Sequence, residues 1–482
     1  MFVALVLAVI VWSPQQTGRP AAGGAADAHY RRGLEAERIN DLEAARRAYQ
    51  ETIDREPGHA LAHDRLGFVL GRLGRTADAL SHFERAVALA PTLFDAHYHL
   101  GATRWWTKDL AGARAALAAA VRLRPTHAEA RYYLGVTLRQ SGDVTGAIAQ
   151  LREAARLAPS LALARLHLGV ALQHAGDLEG ALTHLTAAAS LDPSSVDTQN
   201  SLGLALMQSG DADRAIAIFQ ALIASDPSNG TARLNLGTTL MQRGDLNAAV
   251  EVLAEAVRRQ PESAELRYNL GLALKQRDDF AEAEVQLRRA MELDRALADA
   301  PFTLGVVMWQ TGRGADALAL FREAIARRGD FADAHYMLGT VLRQQEALDE
   351  AIAEFRFAAK LNPASAEAQL SLGQALAIKG DAAASATALA EAERLNTLKS
   401  NAQASTFAVG VGLERLKAAD LAGAIKHFRE ALRLAPDNPR AHYQLALALR
   451  RTGASSEASR HFAEARRLAP YLAPPPNREK KR

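Results

Sequence analysis

A glycine recurs every 34 residues along most of this chain. Eleven successive positions of the series are glycine: Gly33, Gly67, Gly101, Gly135, Gly169, Gly203, Gly237, Gly271, Gly305, Gly339 and Gly373. The next step falls on Phe407, and a shift of five residues restores the series at Gly412 and then Ala446. A fixed period of about 20 to 50 residues is typical of stacked supersecondary units, each of which buries its apolar face only against its neighbours.

Three other columns keep the same step, if each repeat is numbered so that this glycine is position 8. Position 20 is alanine in every repeat but one, in which it is Ser385, and position 24 is always bulky and apolar. A proline at position 32 closes ten of the thirteen repeats. Small residues at positions 8 and 20 allow two helices to approach closely, and the side chain at position 24 fills the space between them.

The composition agrees with a folded, all-α protein. The 482 residues are 49% hydrophobic and 23% charged, alanine is abundant, and no long alternating run of β-branched residues occurs. The absence of cysteine excludes disulfides, thiolate nucleophiles and cysteine-ligated zinc. The net charge of +3 argues against a dedicated nucleic-acid binder, which would carry a concentrated basic face.

The pattern of Leu-Gly, a downstream alanine, a bulky apolar residue and a closing proline resembles the tetratricopeptide repeat. The match covers thirteen repeats over residues 26–472. The resemblance implies a right-handed superhelical α-solenoid of stacked helix-turn-helix repeats. It further implies that the first helix of each repeat, helix A, lines an inner groove through positions 2, 5, 9, 12 and 13.

The turn between helices A and B often reads Gly-Asp, as in Gly244-Asp245 and Gly380-Asp381. Glycine can adopt the left-handed conformation that ends helix A, and aspartate can cap the amino end of helix B. We therefore expect this dipeptide to form the turn within each repeat.

The register divides the chain into five segments. Residues 1–25 form a leader and linker, residues 26–399 contain repeats 1 to 11, and residues 405–472 contain repeats 12 and 13. Residues 400–404, "SNAQA", are an insertion, for which we expect either a hinge or a longer loop that leaves the stacking intact. Residues 473–482 are Pro-rich and then basic, which is typical of a disordered tail.

The first segment contains an apolar run over residues 2–12, which has the length of a signal-peptide core and is too short to span a bilayer. The run favours a bacterial protein that works in the periplasm or is secreted. The alternative is an apolar helix that covers the open end of the first repeat, in a cytoplasmic protein.

No catalytic, cofactor or metal site is indicated, so we expect a protein that is not an enzyme. No HExxH, Walker-type or GxGxxG motif is present, and the segments outside the repeats are too short to form a catalytic domain. His63, His97, His335 and His442 all occupy position 4, which makes them a repeat column and not a cluster.

Polar residues follow the inward columns. Position 13 is glutamine in six repeats, at Gln140, Gln208, Gln242, Gln276, Gln310 and Gln344. Such a column predicts an amide ladder for an extended peptide backbone, although glutamine is also a good helix former that can simply face water. The NLG motifs add Asn235 and Asn269 at position 6.

Aromatic residues occupy two further inward columns. Trp105 and Trp309 at position 12, with Trp106 beside the first, are candidate anchors for a partner, and the alternative is packing between repeats. Tyr132, Tyr268 and Tyr336 share position 5, where they would give the groove aromatic walls.

Position 2 is acidic in seven of the nine repeats from repeat 3 to repeat 11, where the helix dipole favours a negative charge; if these carboxylates face the groove, they disfavour phosphates. The array also resembles the repeat arm of O-linked N-acetylglucosamine transferase without its catalytic domain. The apolar residues at positions 5 and 9 argue against the carboxylate-clamp mode of the family.

Together these features predict a protein-interaction scaffold that holds an extended peptide or a partner helix in the groove. One alternative is an accessory subunit of a glycosyltransferase or cell-envelope enzyme supplied in trans, and another is an RNA-binding helical-repeat array. The last repeat lacks a polar capping helix, which predicts self-association through its exposed side, unless Tyr471 and Leu472 cover it.

Overall fold

The structure is a computed structural model that describes residues 25–472. The expected leader, apart from Ala25, and the expected tail at residues 473–482 lie outside the described residues.

The described residues form 25 helices and contain no β-strand. The helices are α1 Ala25–Arg38, α2 Leu42–Arg55, α3 Ala60–Arg72, α4 Thr76–Leu89, α5 Phe94–Trp106, α6 Leu110–Leu123, α7 Ala128–Gln140, α8 Val144–Leu157, α9 Ala162–His174, α10 Leu178–Leu191, α11 Val196–Gln208, α12 Ala212–Ser225, α13 Gly230–Arg243, α14 Leu246–Arg259, α15 Ala264–Gln276, α16 Phe280–Leu293, α17 Asp299–Gln310, α18 Gly314–Arg327, α19 Ala332–Gln344, α20 Leu348–Leu361, α21 Ala366–Lys379, α22 Ala382–Lys417, α23 Leu421–Leu434, α24 Pro439–Arg451 and α25 Ser455–Leu468.

The chain divides into an N-terminal region that ends at Ala205 and a C-terminal region that begins at Leu206. In each region, helices A and B of a repeat pack against each other, and helix B then packs against helix A of the next repeat. The expected all-α architecture of tandem helical repeats is therefore confirmed in both regions. No helix within residues 25–472 is both long enough and apolar enough to cross a bilayer.

The Gly-Asp turn forms as expected. Gly380 ends α21 with a φ of 91°, in the left-handed region that glycine adopts without strain. The next residue, Asp381, accepts a hydrogen bond from the backbone N–H of Ala384 at 3.1 Å and so caps α22. Asp143 and Asp177 cap α8 and α10 in the same way.

The interior of each repeat is set by three columns. The position-24 side chain is fully buried in repeats 1 to 10 and in repeat 12, as for Phe355 in repeat 10. The helix-A glycine lies against it, since a Cβ atom built on Gly339 would stand 2.9 Å from the Phe355 ring. In repeat 11, Ser385 replaces the position-20 alanine and donates a hydrogen bond to the carbonyl of Gly373 at 2.8 Å. The hydroxyl is therefore satisfied inside the repeat.

The region of the insertion differs from the expectation. α22 is one helix of 36 residues that joins helix B of repeat 11 to helix A of repeat 12. Residues 400–404 lie within this helix, so the expected loop is wrong, and a hinge at this point would have to bend a continuous helix. The helix continues because residues 395–408 contain neither proline nor glycine, and position 32 of repeat 11 is Thr397 rather than the usual proline.

Candidate protein-binding surface

The candidate surface is made of the helix-A side chains at positions 2, 5, 9, 12 and 13, and we call it the A-face. Its most regular feature is a tryptophan–glutamine pair that occurs once in each region. The indole Nε1 of Trp105 donates to Oε1 of Gln140 at 2.9 Å, and Nε1 of Trp309 donates to Oε1 of Gln344 at 2.9 Å. In both pairs, position 12 of one repeat reaches position 13 of the next, and the tryptophan is half-buried while the glutamine is exposed.

These bonds alter the interpretation of the glutamine column. The side-chain carbonyl oxygens of Gln140 and Gln344 already accept a hydrogen bond from an indole N–H. These two amides therefore orient a tryptophan and are not simply available to a peptide. Gln208, Gln242, Gln276 and Gln310 are exposed. The column is thus a mixture of exposed amides and amides that orient an aromatic ring.

Tyr132 does not line the surface, and this part of the prediction is wrong. Its side chain is only 7% exposed and packs against Tyr133, with ring centroids 5.0 Å apart, and against His167 at 5.6 Å. Tyr268 and Tyr336 in the C-terminal region are half-buried. Position 5 therefore belongs mainly to the packing between helices and only partly to the surface.

An aromatic cluster underlies the first tryptophan. The Trp105 ring meets Tyr133 edge-on with centroids 5.4 Å apart, and Tyr133 also contacts Tyr98. Burial raises the pKa of Tyr133 to about 12, and burial, with a smaller contribution from Arg139, lowers the pKa of His167 to about 4. Trp105 therefore stands on a support of neutral aromatic rings, which fixes its orientation.

Sequence reasoning missed Tyr133 and His167 as supporting residues. Both occupy position 6, which is the position of the asparagine in the NLG motifs. The signal was available, because position 6 is aromatic or histidine in three successive repeats, at His99, Tyr133 and His167.

The two NLG asparagines and Trp106 are half-buried. Asn269 donates from Nδ2 to the carbonyl oxygen of Glu265 at 2.8 Å, one turn earlier in the same helix. In this arrangement its amide nitrogen makes a hydrogen bond within its own helix.

The position-4 column has a structural role. Arg267 donates from Nε to the carbonyl of Pro261 at 2.7 Å and from Nη1 to Oε1 of Gln286 at 2.9 Å. Arg131 makes the equivalent two bonds in the N-terminal region, and His63, His335 and His442 each bond the equivalent loop carbonyl and a position-23 side chain. The column fastens helix A to the loop before it and to helix B of its own repeat.

Several position-2 acids are paired within their own repeat. Asp299 accepts from Arg328 at 3.0 Å, and Asp95 lies 3.5 Å from Arg124. In these repeats the arginines balance the charge at the start of helix A. Within residues 25–472, no group of three histidine, aspartate or glutamate side chains is placed to hold a metal ion.

The fold and this surface define an all-α protein of tandem helix-turn-helix repeats, in which several of the A helices present tryptophan or glutamine side chains. Family models for the tetratricopeptide repeat match along the chain. One matches residues 30–94, 105–162, 147–196, 166–230 and 302–356, which together exceed half of the chain. A second matches residues 206–270 and 240–302, and a third, described as TPR repeat, matches residues 339–380 and 412–453. The chain therefore belongs to the tetratricopeptide repeat family.

Solved structures with similar folds cover different shares of the chain. MamA is 31% identical over 34% of this chain and 95% of its own, with a TM-score of 0.31. YrrB, described as a TPR protein with an unusual peptide-binding site, is 21% identical over 38% of this chain and 95% of its own, with a TM-score of 0.36. The APC/C hetero-tetramer Cut9-Hcn1 provides a chain that is 16% identical over 89% of this chain and 97% of its own, with a TM-score of 0.37. The search of curated proteins finds no match.

Proposed function

We propose that this protein is a non-catalytic interaction scaffold that holds an extended peptide or a partner helix on the A-face. The observation that carries the proposal is the repeated tryptophan–glutamine pair, Trp105 with Gln140 and Trp309 with Gln344. A tryptophan that is half-buried and held in one orientation presents apolar area at little entropic cost, which is typical of binding hot spots.

The exposed amides of position 13 supply the polar part of the surface. Gln208, Gln242, Gln276 and Gln310 are exposed, and Asn235 is half-buried at position 6. Amides both donate and accept, so they suit a peptide backbone, which offers one donor and one acceptor per residue.

The charges on the A-face favour a protein ligand over a nucleic acid. The position-2 column places carboxylates on seven of the nine repeats from repeat 3 to repeat 11, and Arg124 and Arg328 lie against two of them. A phosphate backbone binds where lysine and arginine are in excess, and an acid–base balance of this kind gives no such excess.

The test is the affinity of a selected peptide for three variants of the full chain. A peptide selected from a random library against the wild type should bind the double variant Trp105→Ala, Trp309→Ala at least tenfold more weakly. The matched control is Val285→Ala with Phe357→Ala, which removes two exposed apolar side chains from B helices and should leave the affinity unchanged. Equal affinities of all three proteins would remove the anchors that we propose.

Binding experiments with the same purified protein distinguish the two alternative functions. Recovery of one enzyme at a fixed stoichiometry would indicate an accessory subunit, for example of a glycosyltransferase or cell-envelope complex. Salt-sensitive binding of RNA would indicate a nucleic-acid array. An alkaline phosphatase fusion to residues 1–25 tests the export that we propose for this segment, since the enzyme is active only outside the cytoplasm.

The end of the last repeat is a second candidate contact surface. It could bind another protein or a second copy of this chain. Phe462, the position-24 residue of repeat 13, is half-buried, whereas most of its column is fully buried. Tyr471 and Leu472 are also half-buried. Phe462→Ala should weaken any self-association through this end.

A further inference from the structure

The regular junction between repeats follows one packing rule. The position-3 residue of helix A packs against positions 5, 27 and 28 of the preceding repeat. The three examples in the C-terminal region are Ala334 against Phe302, Ala324 and Ile325; Ala368 against Tyr336, Ala358 and Ala359; and Ala441 against Val409, Ala431 and Leu432. Position 3 is small in most repeats because it lies where two helices meet.

Repeat 11 has the residues at positions 5, 27 and 28 that form one side of this junction, but no position-3 residue packs against them. Its position-5 residue, Leu370, is 41% exposed, and its position-24 residue, Leu389, is 38% exposed. These two leucines, with Ala392 and Glu393 at positions 27 and 28, line one end of an open cavity of about 470 Å³. The cavity continues along α22, where it is lined by Asn396, Thr397, Ser400 and Asn401. The cavity therefore lies where the position-3 residue of the next repeat would pack.

Repeat 12 has the position-3 residue that would form the other side of this junction. Its position-3 residue is Phe407, which is 74% exposed, whereas Ala334, Ala368 and Ala441 at this position are 0 to 1% exposed. Phe407 cannot reach the cavity in its own chain. It follows Ala392 by 15 residues on the continuous helix α22, a separation of about 22 Å along the helix axis.

We infer that a second copy of this chain completes the junction, with Phe407 of each copy inserted into the cavity of the other. At every regular junction in the C-terminal region, the equivalent site is filled by helix A of the following repeat. Among the A helices that follow another repeat within residues 206–472, only the second half of α22 is not stacked in this way. The pairing is reciprocal, so it forms a closed two-fold dimer rather than a fibre.

The geometry of α22 suits this arrangement. An antiparallel pair of these helices that places Phe407 opposite residues 392 and 393 has its two-fold axis near Ser400, halfway between them. Leu389, Asn396, Ser400, Ala404 and Phe407 are exposed and follow one face of the helix in steps of three or four, or their sums. Around the axis these side chains are small and uncharged, so two like charges do not meet there. The inference rests on the repeat junction and not on the A-face.

Cross-linking tests the contact directly, because the chain contains no cysteine. The full-length double variant Glu393→Cys, Phe407→Cys should form a dimer through intermolecular disulfides under mild oxidation. Each single variant should remain uncross-linked, since residue 407 lies opposite residue 393 and not opposite itself. Cross-linking by either single variant, or failure of the double variant, would overturn the pairing.

Analytical ultracentrifugation measures dimerisation independently, without introduced cysteines. The wild type should be dimeric, and Phe407→Ala should raise the dimer dissociation constant at least tenfold with unchanged helical circular dichroism. The matched control is Leu398→Ala, since Leu398 is 51% exposed on another face of the same helix and should leave the dissociation constant unchanged. Phe462→Ala should also leave it unchanged, which separates this contact from the end of repeat 13. A wild type that is monomeric at 100 micromolar would refute the inference.

Discussion

The junction between repeats 10 and 11 and the junction between repeats 11 and 12 differ although their sequences share one register. At the first, Ala368 is buried between Tyr336, Ala358 and Ala359, and a loop separates α20 from α21. At the second, Phe407 is exposed and no loop forms, because α22 continues through residues 400–404. The comparison teaches that the residues that fold a repeat and the residues that stack it on its neighbour are different sets.

Repeat 11 shows this separation most clearly. Inside the repeat, a Cβ built on Gly373 would stand 2.7 Å from Leu389, as close as in the regular repeats. Outside it, the same leucine is 38% exposed. Helix pairing within the repeat is thus intact, while the stacking on the next repeat is absent. This is expected for a repeat array, in which the stability of each repeat and the stability of each interface are separate contributions.

The largest expected difference between the two junctions is at position 24. Phe355→Ala removes a fully buried ring and should cost about 4 kcal/mol of local stability. In the Phe407→Ala background, which removes the dimer contact that we infer, Leu389→Ala removes a side chain that is already partly in water and should cost about 1 kcal/mol. Hydrogen exchange of α19 and α20, compared with α21 and the first half of α22, measures both. Equal losses in that background would mean that Leu389 is covered within a single chain.

Acid should weaken the regular stacking around His167. The pKa of this histidine is lowered to about 4 by burial and by Arg139, so the folded state binds fewer protons than the unfolded state between that pH and about 6.5. The stabilisation is fully present above about pH 6.5 and is lost as the pH falls towards 4, a total of about 3 kcal/mol. At repeat 12 the same position is Gly410, which does not titrate.

The measurement is urea unfolding of the N-terminal repeats between pH 7.5 and 4.5, followed by tryptophan fluorescence. His167→Gln should flatten the pH dependence over this range. A variant whose stability falls as steeply as that of the wild type would show that other groups carry the effect.

Glycine-to-alanine substitutions should have opposite signs at the two junctions. Gly339→Ala places a Cβ 2.9 Å from the Phe355 ring, and it should destabilise repeat 10 by about 2 kcal/mol. Gly410→Ala adds a Cβ with no atom within 4 Å in a helical segment of α22, and it should stabilise this helix by about 1 kcal/mol. Local hydrogen exchange checks both. Destabilisation by Gly410→Ala would indicate that the second half of α22 is not helical in solution.

The smallest expected effect is at position 4. Arg267→Ala removes the two hydrogen bonds to Pro261 and Gln286 and should cost about 1 kcal/mol, since each bond is only partly shielded from water. In repeat 12 the same position is Ala408, so this fastening is absent at the irregular junction. Exchange of the amides at the start of α15 reports the loss, and no change there would mean that the arginine bonds are not formed in solution.

Much of the candidate surface could be placed from the sequence but not characterised by it. The repeat register put Trp105 and Gln140 in adjacent columns of adjacent repeats, but only the structure joins Nε1 to Oε1. The register could not say that Tyr132 is buried while Tyr268 is half-buried, because both occupy position 5 and their exposure depends on the neighbouring repeat.

The sequence by itself determined the repeat, its turn and its internal packing, because these depend on contacts between residues fewer than 34 positions apart. Gly380 and Asp381 form the turn that their types require, and Phe355 lies against Gly339 as its column requires. Only the tertiary structure decided that residues 400–404 are helical and that Phe407 and Leu389 are left exposed. The physical reason is that stacking joins surfaces from different repeats, so one uninterrupted helix can separate two surfaces that the periodic sequence would pair.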